Sequence, residues 1–269
     1  MISPAACEVM AALCRTHAGM RIGADKPYLI ESRLGPVARK DGYVSTEAYI
    51  ERLRAGRDDA QILAAVAALA SADTGFFRDP SVFAHLEDVV LPQLAARLPG
   101  RPVRIWSAGC ATGQEVYSLA MSLADARLRP TAFELYATDF CPASLEKARA
   151  GLYSQFEVQR GLPAHRLIAH FENHGDMFAV SARLKEHLSW QVANLLDDRT
   201  DLGQFDLILC RHVLDGLEPE LRPTVVARLA RSLAPTGLLV LSPGDHAHPG
   251  FAARGMGIFA RSDGARAVG

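Results

Sequence analysis

The chain has 269 residues, 49% of them hydrophobic, and 29 basic against 30 acidic side chains leave a formal net charge of −1. That is enough apolar length for one large domain, or for a small one joined to a medium one. The balanced charge argues against a nucleic-acid binder, which carries a basic excess or patch, and no apolar run approaches the length of a membrane span.

The opening MISPAACEVMAALCRTHAG has no basic leader before its apolar residues, so it reads as an amphipathic first helix and not as a signal peptide. Cys14 and His17 lie one helical turn apart, but without a second ligand pair nearby they read as helix packing, and no metal is expected. The five cysteines (Cys7, Cys14, Cys110, Cys141, Cys210) form no CxxC pair, which suits reduced thiols in a cytoplasmic protein. PYLIESRLGPVARKDG carries Leu29, Ile30, Leu34 and Val37 at helical spacing, with Gly35-Pro36 expected to kink or break the helix. STEAYIERLRAG offers Ser45 or Thr46 as an N-cap and stops at Gly56, and DAQILAAVAALASA follows as an alanine-rich helix. These segments predict a helical domain over residues 1–80.

The pattern then changes. SVFAHLEDVVLPQLAARL is helical, PGRP marks a turn, and VRIWSAG is a short buried strand. A helix from about 114 to 127, the strand FELYATD and the helix ASLEKARAG come next. LSWQVAN, FDLILCR and GLLVLSP are further strands, with the helix PELRPTVVARLARSLAP between the last two. Such alternation predicts an α/β domain over 81–269, a doubly wound and mostly parallel sheet. The stretch from about 152 to 188 (PAHRLIAHF, NHGD, MFAVSARL) fits poorly and reads as an excursion, a small antiparallel element.

Ligands of such sheets bind beyond the carboxyl ends of the strands. SAGCATG follows the first strand, Asp139 ends the second, and CRHV ends another. Gly109 and Gly113 permit tight turning and close approach, and the helix from Gln114 adds N–H donors. The turn is neither a P-loop nor the GxGxxG spacing. It suits a nucleoside without phosphates whose ribose hydroxyls Asp139 would accept, a description that S-adenosylmethionine meets. An ordinary strand-to-helix turn with a capping acid stays open on spacing alone.

Read together, the motifs resemble a known family. TGFFR at 74–78 with DPSVFAHLEDVVLP, then WSAGCATGQEVYSLAM, ATDFCPASLEKARAGLY, ANLLDD and FDLILCRHVL are similar, in order, to the signatures of the chemotaxis receptor (CheR-type) methyltransferases. GMRIGADKPYLIESRLGPVARKDGYVSTEAYIERL resembles that family's helical domain. The resemblance implies an N-terminal helical domain and a Rossmann-like methyltransferase domain with a small inserted β-subdomain at about 152–188. It implies a cytoplasmic signal-transduction enzyme that moves the methyl of S-adenosylmethionine to glutamate side chains of chemoreceptors. Chemoreceptor cytoplasmic helices or a related signalling protein would be the partner, without membrane insertion and with the enzyme a monomer. The short stretch between Phe171 and Val180 implies that no receptor pentapeptide tether is needed. Basic residues Arg33, Arg39, Lys40, Arg52, Arg54 and Arg57 are candidates to face an acidic receptor helix, but interspersed acids equally suit a solvated surface.

By position, the resemblance places Thr74 and Arg78 at the cofactor and methyl-transfer region, and Gly109 and Glu115 at the cofactor's methionine portion. It places Asp139 at the ribose, Asn194 and Leu195 near the adenine, and His212 and Val213 at the end of the pocket. Arg78 is the candidate catalytic residue, with Phe76 and Phe77 expected at the domain interface. A glutamate carboxylate, with an ordinary pKa of about 4.3, needs no general base, so orientation carries the catalysis, and Arg78 offers a charged fork for it.

The chain departs from the family pattern at Ala72, Gln114, His212 and SPGDH, and most at Gly216, which stands where the family has tyrosine. Two alternatives follow: a non-catalytic S-adenosylmethionine-binding signalling module, or a methyltransferase with a different acceptor.

Overall fold

The fold comes from a computed structural model that describes residues 2–23, 26–56, 58–70, 73–98, 100–126, 132–198, 200–245 and 249–262. Arg57, Ala72 and the histidine of SPGDH lie outside the described residues. The chain divides into two compact units, Met1–Ser71 with Val213–Thr224, and Ala72–His212 with Val225–Gly269.

The first unit is built on the helices Pro4–Ala18, Pro27–Lys40, Thr46–Ala55 and Asp59–Leu69. Ser3, Ser45 and Asp58 cap three of them by accepting a backbone N–H three residues on. Their buried faces carry Met10, Cys14, Ile30, Leu34, Tyr49, Ile50, Leu53 and Val66. The expected break at Gly35-Pro36 does not occur: Pro27–Lys40 is continuous with Pro36 inside it. A proline ring clashes with the Cβ of the residue before it when that residue is helical, and Gly35 has none. The returning segment joins by the Met20–Leu217 bridge and by the Glu218 N–H, which donates to the Gly19 carbonyl at 2.8 Å.

The second unit opens with Pro80–His85, a π turn at Leu86–Val90 and Leu91–Arg97. Pro92 sits just beyond the π turn, whose widened coil makes room for the ring. The strands are β1 (Val103–Ala108), β2 (Phe133–Asp139), β3 (Leu152–Ser154), β4 (Phe171–His174), β5 (Met177–Val180), β6 (Leu188–Val192), β7 (Phe205–Cys210), β8 (Leu233–Leu241), β9 (Phe251–Gly255) and β10 (Ile258–Arg261). Seven of them form one sheet in the order β6-β2-β1-β7-β8-β10-β9. The first five strands of that order pair in parallel, and β10 runs antiparallel to both β8 and β9. The doubly wound, mostly parallel expectation therefore holds, while the closing hairpin β9–β10 was not foreseen.

Every residue of β7 is buried, as expected of a strand covered on both faces. Ile105, Leu207 and Leu209 belong to the main core, and Trp106 lies 5.3 Å from the Phe205 ring. Where the alternation failed, β3, β5 and β4 make a three-stranded antiparallel sheet in that order, the expected excursion. Phe76 and Phe77, expected between domains, pack inside this second unit. Phe76 meets Tyr153 and Phe171, and Phe77 meets Phe83.

Candidate functional site

Strand order in the main sheet reverses between β1 and β7, so a crevice opens beyond their carboxyl ends. The loop after β1 turns at Gly109 (φ 85) and Gly113 (φ 92), left-handed conformations that glycine adopts cheaply. The N–H groups of Gly109 and Cys110 both donate to the Thr138 carbonyl, at 2.8 and 2.9 Å, which ties the loop to the end of β2. A Cβ on Gly113 would lie 2.9 Å from the Ala148 Cβ, so this glycine also permits close packing on the helix Pro142–Ala150. Tyr153, buried at the start of the small sheet, donates its hydroxyl to the Thr112 carbonyl at 2.6 Å.

Asp139 ends β2 with its carboxylate half-buried. One oxygen accepts the Ala111 N–H at 2.8 Å and the other the Cys141 N–H at 2.9 Å. Burial raises its pKa above the ordinary 3.8, against the lowering pull of these backbone donors. The Phe140 N–H adds to that pull, and the carboxylate keeps acceptor capacity for a ligand hydroxyl. The Asp139 carbonyl accepts the Ala193 N–H at 3.0 Å, which brings the end of β6, and with it Asn194 and Leu195, to the same loop cluster. The Asn194 side-chain oxygen accepts the Leu196 N–H at 3.0 Å.

Glu115 stands in the first turn of the helix Gln114–Asp125. One of its oxygens accepts from Arg211 at 2.7 Å and the other from the Ser107 hydroxyl at 3.4 Å. Arg211 lies within CRHV, and sequence reasoning missed it. Its side chain is 0% exposed, and it donates to Glu115, to an Asp79 oxygen at 2.6 Å and to the Arg78 carbonyl at 2.9 Å. The same Asp79 oxygen pairs with His212 Nε2 at 2.9 Å. Asp79 was also missed, because Asp followed by Pro80 reads as a plain N-cap. It occupies that position, but its side chain makes no capping hydrogen bond and turns to Arg211. A charge directly after the apolar run LILC was the available signal, since a buried cation needs a partner.

Strain gathers here. Among the described residues five non-glycines take left-handed conformations: Met256 (φ 53) between β9 and β10, and Phe77 (φ 47), Asp79 (φ 59), Ala111 (φ 48) and His212 (φ 57). The last four lie in the segments that build this network, and such strain clusters at functional sites. The Phe77 N–H is held by the Ser118 hydroxyl at 2.9 Å, and the His212 N–H by the Ser242 hydroxyl at 2.6 Å.

The remaining sequence-chosen residues are less tightly joined. The Arg78 guanidinium lies 3.4 Å from the Asp73 carboxylate and donates to the Asp73 carbonyl at 3.0 Å. Thr74 is half-buried in the loop before it. Val213 belongs to the stretch that groups with the helical unit. Cys110, although close by, is no nucleophile, because burial pushes its thiol pKa well up. Glu115, Asp79 and Asp139 set three carboxylates against the single buried guanidinium of Arg211, a surplus that suits a ligand bearing positive charge and hydroxyls.

The CheR methyltransferase, SAM binding domain, matches residues 72–248, and the CheR methyltransferase, all-alpha domain, matches residues 6–67. A chemotaxis protein methyltransferase of Vibrio parahaemolyticus is 36% identical over 231 residues, 84% of this chain and 83% of that protein. Chemotaxis protein methyltransferase 1 of Vibrio cholerae is 35% identical over the same shares. Chemotaxis protein methyltransferase 1 of Pseudomonas aeruginosa is 33% identical over 83% of each chain.

Proposed function

The chain belongs to the CheR methyltransferase family, and from that premise we propose that it methylates glutamate side chains of chemoreceptors, with S-adenosylmethionine as donor. The observation that carries the reading is the buried Arg211 held between Glu115 and Asp79, with Asp139 at the neighbouring strand end. The bound cofactor supplies a methyl group on a sulfonium centre.

The donor set fits that cofactor. Asp139 has acceptor capacity for the ribose hydroxyls, and Glu115 is the anion for the ammonium of the methionine end. Gly109 lets the backbone approach that end, while Asn194 and Leu195 flank the adenine. Thr74 and His212 close the pocket. Arg211 fixes the Glu115 carboxylate and offsets part of the charge that burial would otherwise disfavour.

Arg78 orients the acceptor. Its pair with Asp73 is partly solvated and therefore weak, so an incoming glutamate carboxylate can take Asp73's place at little cost. The acceptor arrives ionised, so no base is required, and in-line placement does the catalytic work. Only Gly175 and Asp176 separate β4 from β5, and so short a hairpin supports receptor recognition without a pentapeptide tether.

The test is transfer of labelled methyl from S-adenosylmethionine to receptor-bearing membranes. Base-labile label on glutamates is expected, and equal label on receptors lacking their C-terminal residues. Cofactor binding without any base-labile ester would overturn the catalytic reading. Label that disappears with the receptor C-terminus would overturn tether independence alone.

A further inference from the structure

A cavity of about 500 Å³ lies in the second unit at the opposite edge of the main sheet from the strand ends just described. It is walled by the Pro80–Arg97 helical stretch, by residues 235–238 at the start of β8, and by the β9–β10 hairpin. Because β8 runs parallel to β7, and β10 pairs antiparallel with it (Ala260 opposite Leu238), these residues sit at the amino-end edge of the parallel strands.

The lining is one-sided in charge. Arg97, Arg254 and Arg261 come from three different elements, His85 joins them, and among the described residues no aspartate or glutamate lines the cavity. Among the described residues, Arg97 and Arg254 make no ion pair or hydrogen bond, although most arginines of this unit are paired. Beneath them lie Val90, Leu238 and Ile258, an apolar floor. The π turn Leu86–Val90 supplies Val89 and Val90 to the wall, and such turns recur at binding sites.

We propose that this cleft binds an organic phosphate of nucleotide size, its phosphates on the Arg97, Arg254 and Arg261 guanidinium groups and its base on the apolar floor. Guanidinium forks match phosphate oxygens, and the volume lies within the range of small-ligand sites, about 300–1,000 Å³. The site is separate from the cofactor pocket, and the proposal does not depend on the methyl-transfer reading.

The experiment titrates the whole chain with ATP and with inorganic pyrophosphate by calorimetry, at saturating S-adenosylhomocysteine so that the adenosyl pocket is filled. ATP is expected to bind, pyrophosphate to bind more weakly, and Arg97→Ala and Arg254→Ala each to weaken ATP by roughly tenfold. Both residues are exposed surface arginines, so the variants should melt with the parent. The proposal is overturned if ATP does not bind, if the two variants bind it as the parent does, or if pyrophosphate binds equally well. Sedimentation with anionic phosphatidylserine vesicles that needs both arginines, without ATP binding, would likewise overturn it and assign the cleft to a lipid surface.

Discussion

A guanidinium with no exposed surface is stable only where anions surround it, and Arg211 meets that condition through Glu115 and Asp79. Arg211→Ala would leave two carboxylates facing one another in a half-buried site. We expect a loss of about 3 kcal/mol in chemical denaturation together with loss of cofactor affinity. Arg211→Lys, which keeps the charge without the fork, should recover part of the stability but little of the affinity. Asp139 sets a pH dependence. Burial holds its native pKa above the ordinary 3.8, so the protonated form is favoured in the fold. That preference contributes stability in acid, which is lost as pH rises through the native pKa. Cofactor binding runs the other way, since protonation removes an acceptor needed for ribose hydroxyls. Affinity measured from about pH 7 down to about pH 4 should fall with a midpoint above 3.8. Asp139→Asn should show weak binding without that fall. Its amide group would also oppose one of the two N–H groups that the carboxylate now accepts.

At the scale of elements, proline and glycine gave the clearest local signals, and neighbouring residues decided what each one meant. Pro36 lies inside Pro27–Lys40 because Gly35 removes the clash that usually ends a helix before proline. Alanine in place of a helical glycine ordinarily gains about 1 kcal/mol. At position 35 the sign should reverse, because the Cβ of a helical residue clashes with the ring of the proline that follows it, while its other neighbours, an Arg39 nitrogen at 3.4 Å and the Thr46 hydroxyl at 3.5 Å, are in ordinary contact. Thermal melting of Gly35→Ala is expected to fall by a few degrees, equivalent to about 1 kcal/mol, and a rise would refute this account of the unbroken helix. The strands of the main sheet were legible because burial on both faces leaves near-continuous apolar runs such as FDLILC. The small sheet was legible only as an antiparallel excursion without strand bounds, since β3, β4 and β5 span three or four residues each and β4 is largely exposed. The hairpin β9–β10 went unseen because FAARG carries little apolar alternation and pairs through its backbone.

For the whole molecule, the question left by the sequence is whether a chain with Gly216 in the family's tyrosine position transfers methyl groups. Gly216 is exposed, and a Cβ built there has no heavy atom within 4 Å. Gly216→Tyr should therefore melt within about 0.5 kcal/mol of the parent, so a transfer assay on the pair compares chemistry and not folding. We expect measurable transfer by the parent, and a silent parent beside an active Gly216→Tyr would show that the tyrosine is indispensable. The sequence by itself determined the alternation of the main parallel strands with their helices, the doubly wound class, the family and its cofactor. These rest on periodicity and on short motifs that are contiguous in the chain. It also singled out Glu115 and Asp139, whose positions at a helix start and a strand end are local facts. Only the tertiary structure decided that Asp79, Arg211 and His212, up to 133 residues apart, share one network. It alone decided that Arg78 turns toward Asp73, and that Arg97, Arg254 and Arg261 meet around one cavity. Pairing of buried charges is set by which loops the sheet order brings together, and no local pattern of residues encodes that order.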